Sequence, residues 1–84
     1  MNKKEIEQKL IKIISSIRPL KKNLNSKITA FNFISSGHLD SFEILKLHII
    51  VEKKFKITLD SKDTALKKSN TIEGLASIIF KKIN

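Results

Sequence analysis

The chain has no cysteine. Disulfides, thiolate metal sites and a cysteine nucleophile are excluded together, and the composition fits a reducing compartment. Long apolar runs are also missing: none approaches the roughly 18–20 residues that span a membrane. After Met-Asn-Lys-Lys, where a secretory signal would need an apolar stretch, Glu5 and Glu7 interrupt the sequence. The expectation is a soluble, cytoplasmic protein without a membrane span. At 84 residues the chain makes one domain, residues 1–84. Such a chain buries one compact core and has no room for a deep enclosed active site beside it.

Acid is scarce. Eight Asp and Glu face 17 Lys and Arg, for a formal net charge of +9, and Arg18 is the single arginine. A surplus of this size is compatible with nucleic acid, a membrane surface or acidic partners. It is equally compatible with compositional drift, since lysine, asparagine and isoleucine are all abundant. The lysines are scattered over every segment, and no helix carries an arginine-rich or aromatic reading face. A small basic nucleic-acid-binding helical protein is therefore the alternative function, and no nucleic-acid partner is expected.

Hydrophobic periodicity organises the rest. Ile6, Leu10, Ile13, Ile14 and Ile17 recur on one face of a 3.6-residue period, predicting a helix over Lys3 to Ile17. Asn2 is its N-cap and Pro19 closes it. Leu20 to Leu39 holds no helical period and reads as a long loop, pinned to the core by Ile28, Phe31, Phe33 and Ile34. Loops of this length in small domains are often functional. Asp40 is the predicted cap of a second helix, with Glu43 placed to close a capping box. Ile44, Leu47, Val51 and Phe55 form one stripe of that helix. Phe42, Leu45 and Ile49 form a second beside it, which is more apolar surface than one bundle contact needs. Asp60 or Ser61 is expected to cap a short third helix through Lys67. The last helix reads from Asn70 as cap with Glu73 three residues on. Ile72, Leu75, Ala76, Ile79 and Ile83 make its stripe, and Gly74 is a small cost inside it. With no convincing strand, the fold class is all-α: a small four-helix bundle of three main helices and one short one, with a long loop between the first two.

The segment "SGHLDSFEIL" brings His38, Asp40 and Ser41 within four positions. A catalytic triad needs the imidazole between serine and carboxylate in a linear relay. That geometry is hard to build from such close neighbours, and no nucleophile elbow surrounds the serine. Hydrolysis is not expected, nor any other catalysis, and no metal ligand set is read. Ser41 at the first turn of a helix sits where backbone N–H groups and the helix dipole tolerate a phosphate. The same pattern also arises when Asp40 and Ser41 are helix-start residues and nothing more.

The block "FISSGHLDSFEILKLHIIVEKKFKITL", Phe33 to Leu59, resembles the acyl carrier proteins. It has the glycine, then Leu-Asp-Ser before a bulky apolar residue, then an amphipathic helix ending in Glu-x-x-Phe-x-Ile. Asp63, Thr71 and Leu75 fall about where the family places an acid, a cap and a core leucine. The likeness covers most of the chain in layout and about a third in motif. The Gly-x-Leu-Asp-Ser-Phe form is similar to stand-alone carriers, such as D-alanyl carrier proteins and carriers of surface-polysaccharide pathways.

The resemblance implies a carrier that catalyses nothing itself. Ser41 would hold 4'-phosphopantetheine, transferred from coenzyme A, whose thiol carries an acyl or aminoacyl group as a thioester for a specialised biosynthetic pathway. Asp40 would cap the helix and contact the transferase. Phe42, Leu45, Lys46 and Ile49 would dock partners. Those partners would be a phosphopantetheinyl transferase, an acyl- or aminoacyl-loading ligase and a downstream acyl-accepting enzyme, acting on a monomer. His38 reads as a loop residue that, protonated, could reach a phosphate on Ser41; His48 is expected at the surface. An unmodified carrier-like adaptor is a further alternative. The chain differs from the family in two ways. Lys46, Lys53 and Lys54 stand on the second helix where acids are common, and Asn32 stands where an aspartate is frequent.

Overall fold

The computed structural model describes residues 1–20 and 28–83. Four helices carry the chain: α1 (Lys3–Ile17), α2 (Ser41–Phe55), α3 (Ser61–Ala65) and α4 (Ile72–Ile83), with a 3₁₀ turn over Lys67–Asn70. There is no strand among the described residues, only an isolated antiparallel bridge between Asn32 and Thr71. The all-α bundle expected from the periodicity is the fold found.

The first two helices begin where the sequence predicts. At α1, the Glu5 N–H donates to Asn2 Oδ1 (2.8 Å) and the Asn2 N–H to Glu5 Oε1 (3.2 Å). At α2, the Glu43 N–H donates to Asp40 Oδ1 (2.9 Å) and the Asp40 N–H to Glu43 Oε1 (3.0 Å). Each box satisfies donors that a helix start leaves without partners. α2 ends at Lys56, which takes the left-handed conformation at φ 55°.

The core joins α1, α2 and α4. Ile6, Leu10, Ile13 and Ile14 meet Leu47, Val51 and Phe55 and, from α4, Ile72, Leu75, Ala76 and Ile79. Ile17, Ile44 and Ile83 pack at its edge, and Ile78 is buried as well. At about 0.8 kcal/mol per buried CH₂ this apolar assembly is the main source of stability.

Residues 21–27 of the loop after α1 lie outside the described residues. Its second half is tied down as expected: Phe33 is fully buried, and Ile28, Phe31 and Ile34 pack against the core. Asn32 explains the shape of this turn. Its Oδ1 accepts from the N–H groups of Ile34 (3.0 Å) and Ser35 (2.8 Å). Gly37 supplies the left-handed residue at φ +77°. The Leu39 N–H then donates to the Phe33 carbonyl (3.0 Å), delivering the chain to Asp40.

The second half of the molecule corrects two expectations. α3 is capped by Asp60, in a box with Asp63, but ends at Ala65 rather than Lys67. Leu66 is extended, and the buried Ser69 donates its hydroxyl to the Leu66 carbonyl (2.7 Å), so the chain tightens into the 3₁₀ turn. α4 is capped by Thr71, not Asn70: Thr71 Oγ1 accepts from the Gly74 N–H (3.1 Å). The Phe33 N–H holds the Asn70 carbonyl (3.1 Å) and the bridge to Asn32 holds Thr71 extended, so the helix starts one residue later. Glu73 thereby loses the capping-box position to Gly74. That glycine is also more than a local cost. A Cβ built on it would lie 1.8 Å from the Lys68 carbonyl oxygen, so its absence lets the 3₁₀ turn rest on α4.

Candidate functional site

Ser41 is the first residue of α2 and is exposed. No bond engages its hydroxyl among the described residues, and the Ser41 and Phe42 N–H groups at the helix start likewise donate to none of them. The third N–H, of Glu43, is taken by Asp40. Ser41 Oγ therefore stands at the positive end of a 15-residue helix with two unused donors beside it.

None of the hydrogen bonds of a serine–histidine–aspartate relay is formed. The His38 Nε2 is 3.0 Å from the Arg18 carbonyl, to which it donates as the Nε2–H tautomer. Its ring meets Phe31 edge to face, with centroids 5.7 Å apart. Asp40 is occupied by its capping bond. His38 is thus a fixed member of the loop, as the sequence suggests.

Glu43 has a second role that the sequence does not reveal. Its carboxylate receives Arg18 Nε at 3.0 and 3.2 Å and Nη2 at 3.0 Å, while holding the Asp40 N–H. This fork ties the C-terminal end of α1 to the start of α2, across 25 positions of sequence. The Asp40 N–H, then the guanidinium, hold the Glu43 carboxyl below its usual range. An open groove of about 520 Å³ lies against this junction, lined by Arg18, Phe31, Gly37, His38, Asp40 and Glu43.

Below Ser41 runs the second apolar stripe. Phe42, Leu45 and Ile49 are 85%, 57% and 46% exposed, values that remove them from the core. With Glu43, Lys46 and Ile50 they line a shallow surface groove of about 560 Å³. All the docking residues inferred from sequence, Phe42, Leu45, Lys46 and Ile49, fall on this one face. His48, expected at the surface, is half-buried. It follows Ile44 by four and precedes Val51 by three, which sets it at the margin of the buried stripe. Its Nε2 is buried without a partner among the described residues, and burial pushes its pKa down, partly offset by Glu52.

A third grouping was invisible in the sequence. Lys9 and Lys12 of α1 and Lys54 of α2 line a small groove with Ser16. No helix among the described residues is long and apolar enough to cross a membrane. Comparison with protein-family models, curated proteins and solved structures found no match.

Proposed function

We propose that the chain is an acyl carrier protein that accepts 4'-phosphopantetheine on Ser41. The observation that carries this reading is an unengaged serine hydroxyl on the first residue of α2, directly beside an uncovered apolar face. The residues present suit the group. A phosphodiester on Ser41 Oγ would meet the unused N–H groups of Ser41 and Phe42 and the helix dipole. Asp40 holds the helix start rigid, so the acceptor oxygen has a defined position. When bound, the group supplies a terminal thiol that holds an acyl or aminoacyl cargo as a thioester.

No base is hydrogen-bonded to the Ser41 hydroxyl among the described residues. Its proton therefore leaves to a group on the transferase, as the Ser41 oxygen takes the phosphorus and the nucleotide half of coenzyme A departs. Asp40 is the chain's acid nearest in sequence and is available on its outward side to that enzyme. A loading ligase and an acyl-accepting enzyme are the further partners of this reading, and the protein itself is not the catalyst.

The test is intact-mass spectrometry of the purified chain after incubation with a broad-specificity phosphopantetheinyl transferase, Mg²⁺ and coenzyme A. One phosphopantetheine should be gained by the wild type and none by Ser41→Ala. Unchanged uptake by that variant would move the site elsewhere, and no uptake by the wild type would favour the unmodified adaptor. The lysine groove of Lys9, Lys12 and Lys54 favours a second reading, polyanion binding, which salt-sensitive retention of RNA or DNA by the full chain would support.

A further inference from the structure

The exposed face of α2 carries an unusual charge arrangement. Phe42, Lys46, Ile49 and Lys53 follow one another at offsets of four, seven and eleven, so they share one line along the helix. Leu45 and Ile50 flank that line, and the apolar members are exposed enough to leave a groove between them. α2 has two acids, and both are spent inside the molecule. Glu43 is held by Arg18 and the Asp40 N–H. Glu52 Oε2 accepts the Leu59 N–H at 2.8 Å, tying down the turn after the helix. Lys46 and Lys53 have no acidic partner among the described residues. The groove is therefore apolar, with Glu43 at its edge neutralised by Arg18 and the lysines left as its uncompensated charges.

We infer that the enzyme acting at Ser41 docks on this face with an apolar pocket whose rim is acidic. The inference rests on the carrier reading for the identity of the partner. Exposed apolar side chains concentrated in one patch mark a contact surface. Uncompensated lysines on the rim attract acidic partners and reject basic ones. A protein, rather than a lipid surface, is the occupant for two reasons. α2 lacks the one-sided amphipathicity of a membrane-surface helix, because its opposite stripe, Leu47, Val51 and Phe55, is itself apolar and buried in the core. Ser41 lies at the edge of the exposed strip, so whatever covers the strip must leave that hydroxyl reachable for chemistry.

The test uses the full chain carrying Ser41→Ala, ¹⁵N-labelled, so that modification plays no part. The probes are two synthetic amphipathic helical peptides with the same Leu and Phe anchors, one rimmed with Glu and one with Lys. The third probe is a vesicle of phosphatidylcholine with phosphatidylserine. At low salt the Glu-rimmed peptide should bind about tenfold tighter than the Lys-rimmed one. Its amide shifts should cluster on the exposed face of α2. Lys46→Glu with Lys53→Glu should reverse the preference. Lys9→Glu with Lys12→Glu, the same change in net charge, should leave it standing. Leu45→Ala should weaken both peptides, and circular dichroism checks that each variant is folded. Equal effects of the two double variants, or shifts centred on the α1 lysines, would overturn the proposal by making net charge the cause. Binding to the vesicle through the same residues with no peptide preference would overturn it in favour of a lipid surface. Failure of the carrier reading is seen separately, as absence of a mass gain on wild-type Ser41, and does not alter the peptide result.

Discussion

Gly74→Ala separates local helix propensity from packing because the two demand opposite signs. By propensity, alanine inside α4 should stabilise by about 0.8–1.0 kcal/mol. By geometry, its Cβ would sit 1.8 Å from the Lys68 carbonyl oxygen, 2.6 Å from that carbonyl carbon and 2.8 Å from Lys68 Cβ. The first two atoms are backbone, so no side-chain rotation relieves the overlap. The 3₁₀ turn itself must lift from α4. That turn carries the buried Ser69, the Asn70 carbonyl that holds Phe33, and Thr71, which caps α4 and bridges to Asn32. Overpacking of this kind costs about 1–3 kcal/mol and here exceeds the propensity gain. The net expectation is a loss of up to about 2 kcal/mol, or up to roughly 8–16 °C in melting temperature for a domain of this size. Because Phe33 anchors the turn leading to Asp40 and Ser41, modification of Ser41 should also slow. Thermal denaturation by circular dichroism reads the first effect and a timed mass assay the second. A variant that melts higher than wild type would refute the packing argument.

Asp40→Ala should lower stability by about 0.5–2 kcal/mol through loss of the cap and slow phosphopantetheine transfer. Asp40→Asn should keep most of the stability while losing transfer rate, which a paired melting and mass assay resolves. The Glu43 pKa lies below its usual 4.5, so its contribution is fully present above that value and is lost as pH falls through the folded pKa. Glu43→Gln should therefore reduce stability near neutrality and flatten the acid limb of a melting-temperature profile. At the other extreme, the Asp63–Lys82 pair (2.8 Å) raises the Lys82 pKa above 10.5. Its contribution is complete below 10.5 and disappears as pH rises through the folded value, so Lys82→Met should flatten the alkaline limb. Lys56→Gly should raise stability by about 0.5–1 kcal/mol, because lysine is strained at a left-handed φ where glycine is not; a chemical-denaturation midpoint checks it.

What could be read from the sequence was set by neighbours along the chain. The Asn2 cap and the Asp40–Glu43 box are local, and the stripes of α1, α2 and α4 repeat within two turns, so spacing alone is enough for them. α3 ends before Lys67 because Ser69 turns the chain onto the Leu66 carbonyl, whereas the cap of α4 is decided by distant partners. Phe33 and Asn32 reach across to Asn70 and Thr71 and shift the helix start by one residue. The Arg18–Glu43 fork joins residues 25 apart. Its only sequence sign was a lone arginine just past the end of α1. His48 is expected at the surface and is half-buried, and its spacing from Ile44 and Val51 marks the margin of the buried stripe. Phe42, Leu45 and Ile49 were legible as surplus apolar surface, and their exposure bears out that reading. The commitment of both α2 acids to internal bonds was not legible, since Glu52 is engaged by a backbone N–H seven residues away.

The central claim is that Ser41 is the acceptor of a phosphopantetheine arm. Fragmentation mass spectrometry of the chain treated with transferase and coenzyme A tests it most directly, because it locates the added group on a single residue. The expected result is one arm per chain, on Ser41, with Ser41→Ala folded like wild type and unmodified. An arm on Ser35, Ser36 or any other hydroxyl, or a Ser41→Ala protein modified at the wild-type rate, would contradict it.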